Sequence, residues 1–196
     1  MLSICNLSSI PLRFESSDRS EIVSQVLFGE HFEILEQNKQ WSKIKLHFDG
    51  YEGWVDSKQY QIISRENYDI LCNEAVILNA DLVEYISGQN NSLTPITLGA
   101  SLSFLNHTDI NIQNYEFEGL KTSGIKPKAN LIDTAFMYLN APYLWGGKTP
   151  FGIDCSGFTQ MVYKLNGYKL LRDASQQASQ GEVLSFIEES EPGDLA

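Results

Sequence analysis

The chain is short of positive charge, of cysteine, of histidine and of long apolar runs, and each shortage closes off a class of function. Lysine and arginine number 14 against 25 aspartates and glutamates, a formal net charge of −11 at pH 7. So acidic a chain has little with which to displace phosphate counterions, which argues against sequence-independent nucleic-acid binding. The same charge opposes attachment to anionic lipid. No run of about 18 apolar residues occurs, so no membrane-spanning helix is expected. The opening Met1-Leu-Ser-Ile-Cys-Asn has no basic or long apolar region typical of a signal peptide. The expected location is therefore cytoplasmic, or periplasmic or extracellular if a signal has been removed. Three cysteines, Cys5, Cys72 and Cys155, are widely spaced and odd in number, which is no disulfide framework. Cys5 and Cys72 lie in apolar, strand-like surroundings and read as buried, inert thiols. There is no CxxC and no His/Cys cluster along the sequence, so neither a metal site nor a cofactor is expected.

What is present is an ordinary globular balance, 42% hydrophobic and 20% charged over 196 residues. That length holds one large domain or two to three small ones. Residues 1–64 read as short alternating strands. Ile10, Leu12 and Phe14 alternate with polar neighbours, His31–Glu36 and Trp41–Leu46 follow, and Asp49-Gly50 marks a hairpin turn before Tyr51–Val55. Five short strands at this spacing suggest a small closed barrel. Residues 65–124 repeat the pattern weakly. Strands are expected at Ile70–Cys72, Ala75–Leu78, Leu82–Ile86 and from Gly99 onward, which makes a second, degenerate barrel. Ser123–Lys128 reads as the linker.

Beyond the linker the period changes to that of helices. Ile132, Ala135, Phe136 and Leu139 fall on one helical face that ends before Pro142. Asp154 is placed to cap the next helix, whose apolar face is Phe158, Met161, Val162 and Leu165 and whose end is Asn166-Gly167. Asp173 followed by Gln176 forms a capping box for a short third helix. Pro192-Gly193-Asp194-Leu195 reads as a turn into a strand. Cys155 would then be the first residue of its helix, where unpaired N–H groups and the helix dipole favour a thiolate. Its own N–H would be free to meet an oxyanion, with the Tyr143 hydroxyl as a second donor.

Two sets of residues carry a resemblance. Trp41 with Gly53-Trp54-Val55 resembles the bacterial SH3 domain, in which a Gly-Trp-Val strand follows a hairpin; Trp41 and Trp54 can also be simply core, the reading favoured for Trp54. Tyr143-Leu-Trp145-Gly-Gly, Asp154-Cys-Ser-Gly-Phe, Leu171-Arg-Asp-Ala-Ser-Gln-Gln and Pro192-Gly-Asp-Leu resemble, in order, the NlpC-type family of papain-like cysteine peptidases. The resemblance implies two small all-β SH3-like barrels, residues 1–64 and 65–124, followed by an α+β papain-like domain, residues 129–196, that is incomplete. It implies hydrolysis of the γ-D-glutamyl–diamino acid bond of peptidoglycan stem peptides, with no cofactor and no metal. In that frame Cys155 is the nucleophile and Tyr143 assists the oxyanion. Asp154 and Ser156, with Glu52 and Tyr51 of the first barrel, would hold the free amine of an N-terminal L-alanine. Trp145, Arg172, Asp173 and Ser175 complete the substrate site, or Arg172 is structural and pairs with Asp173 or a neighbouring loop.

The chain departs from that family in one respect. The family's base is a histidine on strands after the Pro-Gly-Asp-Leu motif, and His31, His47 and His107 all lie upstream of it. They read as solvated strand or loop residues. The expectation is a C-terminally truncated peptidase, inactive as this polypeptide, with the apolar faces of helices 129–140 and 155–166 short of their main partner. Two alternatives remain: a non-catalytic, wall-peptide-binding SH3 module, and an amidase or acyltransferase using the same cysteine.

Overall fold

In the computed structural model, which describes residues 1–107, 110 and 114–195, the N-terminal region is one antiparallel sheet. Its strands are β1 (Leu2–Ile4), β2 (Ser9–Arg13), β3 (Ile22–Leu27), β4 (His31–Gln37), β5 (Trp41–Leu46), β6 (Glu52–Asp56) and β7 (Gln61–Ile63). The order is β3-β2-β6-β5-β4-β1-β7. Alternation drives it: β2 buries Ile10 and Leu12 and leaves Ser9, Pro11 and Arg13 at the rim. Register shifts at Leu12/Arg13 and Ile34/Glu36 bend the sheet around its own core. That core is Cys5, Ile10, Leu12, Val26, Phe32, Ile34, Ile44, Leu46 and Val55. Trp41 is buried and Trp54 half-buried. Gly50 takes the positive φ of 74° that the Asp49-Gly50 hairpin turn requires.

The strand expected at Ile70–Cys72 is instead a helix, α1 (Arg65–Asn73). Ser64 caps it by accepting a hydrogen bond from the Asn67 N–H at 3.1 Å, and Tyr68 and Leu71 form its buried i, i+3 face. Cys72 is accordingly a half-buried helix residue, not a buried strand residue. Two ribbons follow. β8 (Ile77–Asn79) pairs with β11 (Lys121–Ser123), and β9 (Val83–Ser87) pairs with β10 (Leu93–Thr97). The strand expected from Gly99 is not formed. Gly99 turns the chain at φ 81°, Ser101 makes a single bridge to Leu78, and Ser103–Asn106 is one tight helical turn. Ile86, Ile96, Leu102 and Phe104 share one apolar cluster with Leu2, Ile4 and Ile63 of the first sheet and with Phe28 in the turn after β3. The described residues of 65–124 therefore pack onto the first sheet through a common core.

The last region holds α2 (Asn130–Phe136), the small hairpin β12 (Lys148–Thr149) and β13 (Gly152–Ile153), α3 (Cys155–Leu165) and α4 (Ala174–Ala178). The apolar face of α3 does have a partner: Met161, Val162 and Leu165 are buried with Leu27, Leu78 and Leu98. On α2 and the turn after it, Leu131 joins that core while Ile132, Phe136 and Leu139 stay exposed. Pro192-Gly193 forms the expected turn, tethered to α3 by the Tyr163 hydroxyl donating to the Gly193 carbonyl. No strand is assigned over 192–195, and Ala196 lies outside the described residues. Among the described residues no helix is long and apolar enough to cross a membrane.

Candidate active site

The site is built around the first turn of α3. Asp154 is its N-cap, with extended backbone and Oδ1 accepting from the Gly157 N–H at 2.7 Å. Cys155 follows as the first helical residue and is exposed. A cysteine there has the unpaired N–H groups of the helix end beside it, donors available to an incoming oxyanion.

The loop before it is held by close backbone contacts. The Ile153 N–H donates to the Pro142 carbonyl at 3.0 Å and the Leu144 N–H to the Ile153 carbonyl at 3.2 Å. Tyr143 is thereby pinned alongside Ile153, two residues before Cys155, with its side chain exposed. Gly146, at φ 77°, donates its N–H to Asp154 Oδ2 at 2.8 Å. Gly157 faces the Gly147 carbonyl, and a Cβ at 157 would collide with that oxygen. Gly157→Ala is expected to destabilise the fold by about 1–3 kcal/mol through overpacking. A thermal midpoint equal to that of the unsubstituted chain would refute this.

Arg172 locks the arrangement. It is 2% exposed. Its Nη1 and Nη2 donate to Asp154 Oδ1 and Oδ2 at 3.1 and 2.7 Å, Nη1 also to Ser156 Oγ at 2.8 Å, and Nε to Ser24 Oγ of β3 at 3.0 Å. Burial opposes ionisation of Asp154, but the Arg172 guanidinium and the Gly157 and Gly146 N–H groups outweigh it and hold the carboxyl below its usual range. Both Asp154 oxygens are thus engaged, and its carboxylate sets the start of α3.

The first sheet supplies the facing wall. Tyr51 Oη donates to Asp173 Oδ1 at 2.9 Å, and burial followed by that bond raises its pKa. Trp145 Nε1 donates to Glu21, and Gln25 Oε1 accepts from the Lys148 N–H at 2.7 Å. Gln160 of α3 donates to Asp49 Oδ2 at 2.8 Å. The structure therefore brings Asp154, Ser156 and Arg172 into one bonded network and joins Tyr51 to Asp173. Glu52 is placed otherwise, in an ion pair with Lys43 at 3.0 Å. Ser175 is exposed in the first turn of α4.

Several residues of this region are given no role by the sequence, although Gln177 falls within the Leu171–Gln177 motif. Gln177 is buried; it donates to the Ser156 and Leu171 carbonyls at 2.9 and 2.8 Å and accepts from Thr159 Oγ1 at 2.6 Å. Glu30 is buried against Lys164 at 2.6 Å and Lys148 at 3.5 Å, and Lys164 Nζ also donates to the Gly99 carbonyl at 3.1 Å. A lysine beside the apolar stripe of α3 was the one readable hint of a buried partner.

The histidines are engaged away from the α3 cap. His107 Nε2 lies 3.1 Å from a Glu74 carboxylate oxygen. His31 and His47 stack at 4.5 Å with Cys72 beside them, so the solvated reading is corrected for His31, which is half-buried. Burial, with His47 next to it, lowers the His31 pKa to about 4, and burial lowers that of His47 as well.

This geometry, a bent β-sheet walled against a helix that begins with an exposed cysteine, defines a two-part class. Residues 12–59 match the bacterial dipeptidyl-peptidase Sh3 domain and residues 140–196 match the NlpC/P60 family, so the chain carries an Sh3 domain of that type ahead of an NlpC/P60 segment. Among its relatives, a gamma-D-glutamyl-L-lysine dipeptidyl-peptidase of Bacillus cereus is 26% identical over 204 residues, covering 91% of this chain and 60% of its own length. A protein of the same description from Bacillus subtilis is 28% identical over 189 residues, covering 89% and 63%. The chain thus spans 60–63% of the length of these relatives. The crystal structure of an NlpC/P60 family protein from Bacillus cereus superimposes with a TM-score of 0.80 at 20% identity, over 98% of this chain and 81% of that one, and so shares its fold.

Proposed function

We propose that residues 129–196 are the nucleophile-bearing part of a cysteine peptidase that cleaves the γ-D-glutamyl–diamino acid bond of peptidoglycan stem peptides. Residues 1–64 and 65–124 are read as its SH3-like domains, the second degenerate. The observation that carries the reading is the exposed Cys155 at the first position of α3, on a cap held by Arg172. The two relatives' description, gamma-D-glutamyl-L-lysine dipeptidyl-peptidase, supports the bond and makes L-lysine a diamino acid to test.

Chemically, the Cys155 thiolate attacks the γ-carbonyl carbon and the oxyanion is met by the Cys155 N–H and the Tyr143 hydroxyl. The leaving amine takes a proton, and water then hydrolyses the thioester. Asp173, joined to Tyr51, together with Ser156, Trp145 and Ser175, lines the side on which the L-alanine amine would sit; Glu52, paired with Lys43, would reach it only by leaving that ion pair. Charge-assisted hydrogen bonds to that amine select released stem peptides over acylated ones. The base that receives the thiol proton is not His31, His47 or His107, which have other partners.

Two measurements test this. The 196-residue polypeptide is expected to show no turnover of L-Ala-γ-D-Glu-diaminopimelate or its L-lysine counterpart. Turnover that disappears in Cys155→Ala would overturn the assignment of the base. A chloromethyl ketone built on L-Ala-γ-D-Glu should alkylate Cys155 before Cys5, which is 1% exposed and whose pKa burial raises. N-acetylating the reagent should slow that labelling at least about tenfold. Equal rates would remove the amine site and favour a peptide-binding module without amine recognition.

A further inference from the structure

Positions 31, 47 and 72 are far apart in sequence, and the fold gathers them at one seam. His31 opens β4, and His47 lies just past β5, with its N–H donating to the His31 carbonyl at 3.1 Å. This cross-strand pairing sets the two imidazoles side by side on the end of the ribbon. Cys72, one residue from the end of α1, comes down on the pair. Its Sγ lies 3.7 Å from His31 Nε2 and 3.4 Å from His47 Nδ1, and the three ligand atoms fall within 4.8 Å of one another.

These separations fit a tetrahedral metal. With Zn–N of about 2.05 Å and Zn–S of about 2.3 Å, a tetrahedral angle puts nitrogen and sulfur about 3.6 Å apart. The observed distances, 3.4 and 3.7 Å, straddle that value. The surroundings supply what holds such ligands in place. The Tyr68 ring meets both imidazoles edge-on, at 84° and 86°, and its hydroxyl is hydrogen-bonded to the Cys72 thiol. Glu33, two residues along β4 on the face of His31, adds a nearby negative charge felt by His47 and Cys72.

We propose that His31, His47 and Cys72 form a binding site for a borderline-soft divalent cation, Zn²⁺ foremost, that joins the end of the β4–β5 ribbon to α1. Two imidazole nitrogens and a thiolate favour Zn²⁺ over Mg²⁺ or Ca²⁺, which prefer oxygen. On binding, the Cys72 thiol releases its proton to solvent while the imidazoles give their lone pairs, and a fourth position stays open for water. The site shares no residue with the Cys155 site and does not depend on the peptidase reading.

The test uses the whole chain, with Zn²⁺ for affinity and Co²⁺ as its spectroscopic stand-in. One Co²⁺ per chain is expected, with a thiolate-to-cobalt charge-transfer band that Cys72→Ser abolishes and Cys155→Ala preserves. Zn²⁺ affinity should fall at least about tenfold in Cys72→Ser and in His47→Gln, both at half-buried or exposed positions. On the unsubstituted chain, Zn²⁺ should protect Cys72 from N-ethylmaleimide while Cys155 continues to react, read by peptide mass. Absence of the band, affinity unchanged by Cys72→Ser, or protection of Cys155 in place of Cys72 would each overturn the proposal.

Discussion

Glu30→Ala is expected to destabilise the protein by about 3–5 kcal/mol, because it leaves two buried ammonium groups without their counter-charge. Lys148 is 0% exposed and Lys164 5%, and Glu30 Oε1 is the carboxylate oxygen to which both are directed. Glu30 Oε2 accepts from the Leu27 N–H at 2.8 Å, so the side chain also closes its own turn. Burial by itself would raise the Glu30 pKa. The charges of Lys148 and Lys164, with the hydrogen bonds from Lys164 and Leu27, outweigh it and bring it to about 2.

An unfolded glutamate titrates near about 4.3, so the folded value is the lower one. The stability this group contributes is then complete above about pH 5 and is lost as the pH falls through 4 towards 2. Urea midpoints measured across that window should fall more steeply for the unsubstituted chain than for Glu30→Ala; parallel curves would sink the assignment. Lys164 tells the other half: burial, with Lys148 beside it, lowers its pKa against the pull of Glu30, and a buried ion pair is in general matched or bettered by packed apolar groups of similar volume. Exchanging all three for apolar side chains of similar volume, as Glu30→Leu with Lys148→Met and Lys164→Met, should recover most of the stability that Glu30→Ala loses.

Arg172→Ala carries a second effect of similar size, about 3–5 kcal/mol, for the mirror-image reason that it strands a buried carboxylate. Asp154 would keep its bonds to Gly146 and Gly157 but lose the forked pair that outweighs its burial. Arg172→Lys should not rescue it, since a single ammonium reproduces neither the fork nor the bonds to Ser24 and Ser156. The Asp154 pKa is held low, so its contribution is present above the unfolded value of about 3.9 and is lost on acidification below it. A loosened cap also displaces the first turn of α3. Cys155 alkylation by the L-Ala-γ-D-Glu reagent should therefore change along with the denaturation midpoint. Full stability in Arg172→Lys would show that the fork does not hold the cap.

The readable parts of this chain were those written in neighbouring residues. The alternation in Ile10-Pro11-Leu12 and Ile44-Lys45-Leu46 marked strands, and Asp154 ahead of Phe158, Met161 and Leu165 marked the start of α3. Ile70-Leu71-Cys72 misled because three apolar residues in a row have no period; the Ser64 cap and the Tyr68–Leu71 spacing were the better guide. β10 contains Pro95 and escaped notice, since proline lowers any strand reading. In the site, the cysteine helix and its capping aspartate were legible. The partners of Arg172 and Glu30 were not, because Ser24 lies 148 residues from Arg172, and Lys164 lies 134 residues from Glu30. Such pairs leave no pattern in a single sequence.

The Glu30–Lys148–Lys164 cluster bears on how this architecture can be inherited. Its acid belongs to the Sh3 segment and its two bases to the NlpC/P60 segment. A recombination that moved residues 140–196 behind a different barrel would transplant two buried cations and leave their anion behind. The breakpoint between the segments is therefore not a free joint for domain shuffling, and the two halves are expected to descend together, with any replacement of one bringing compensating change in the other.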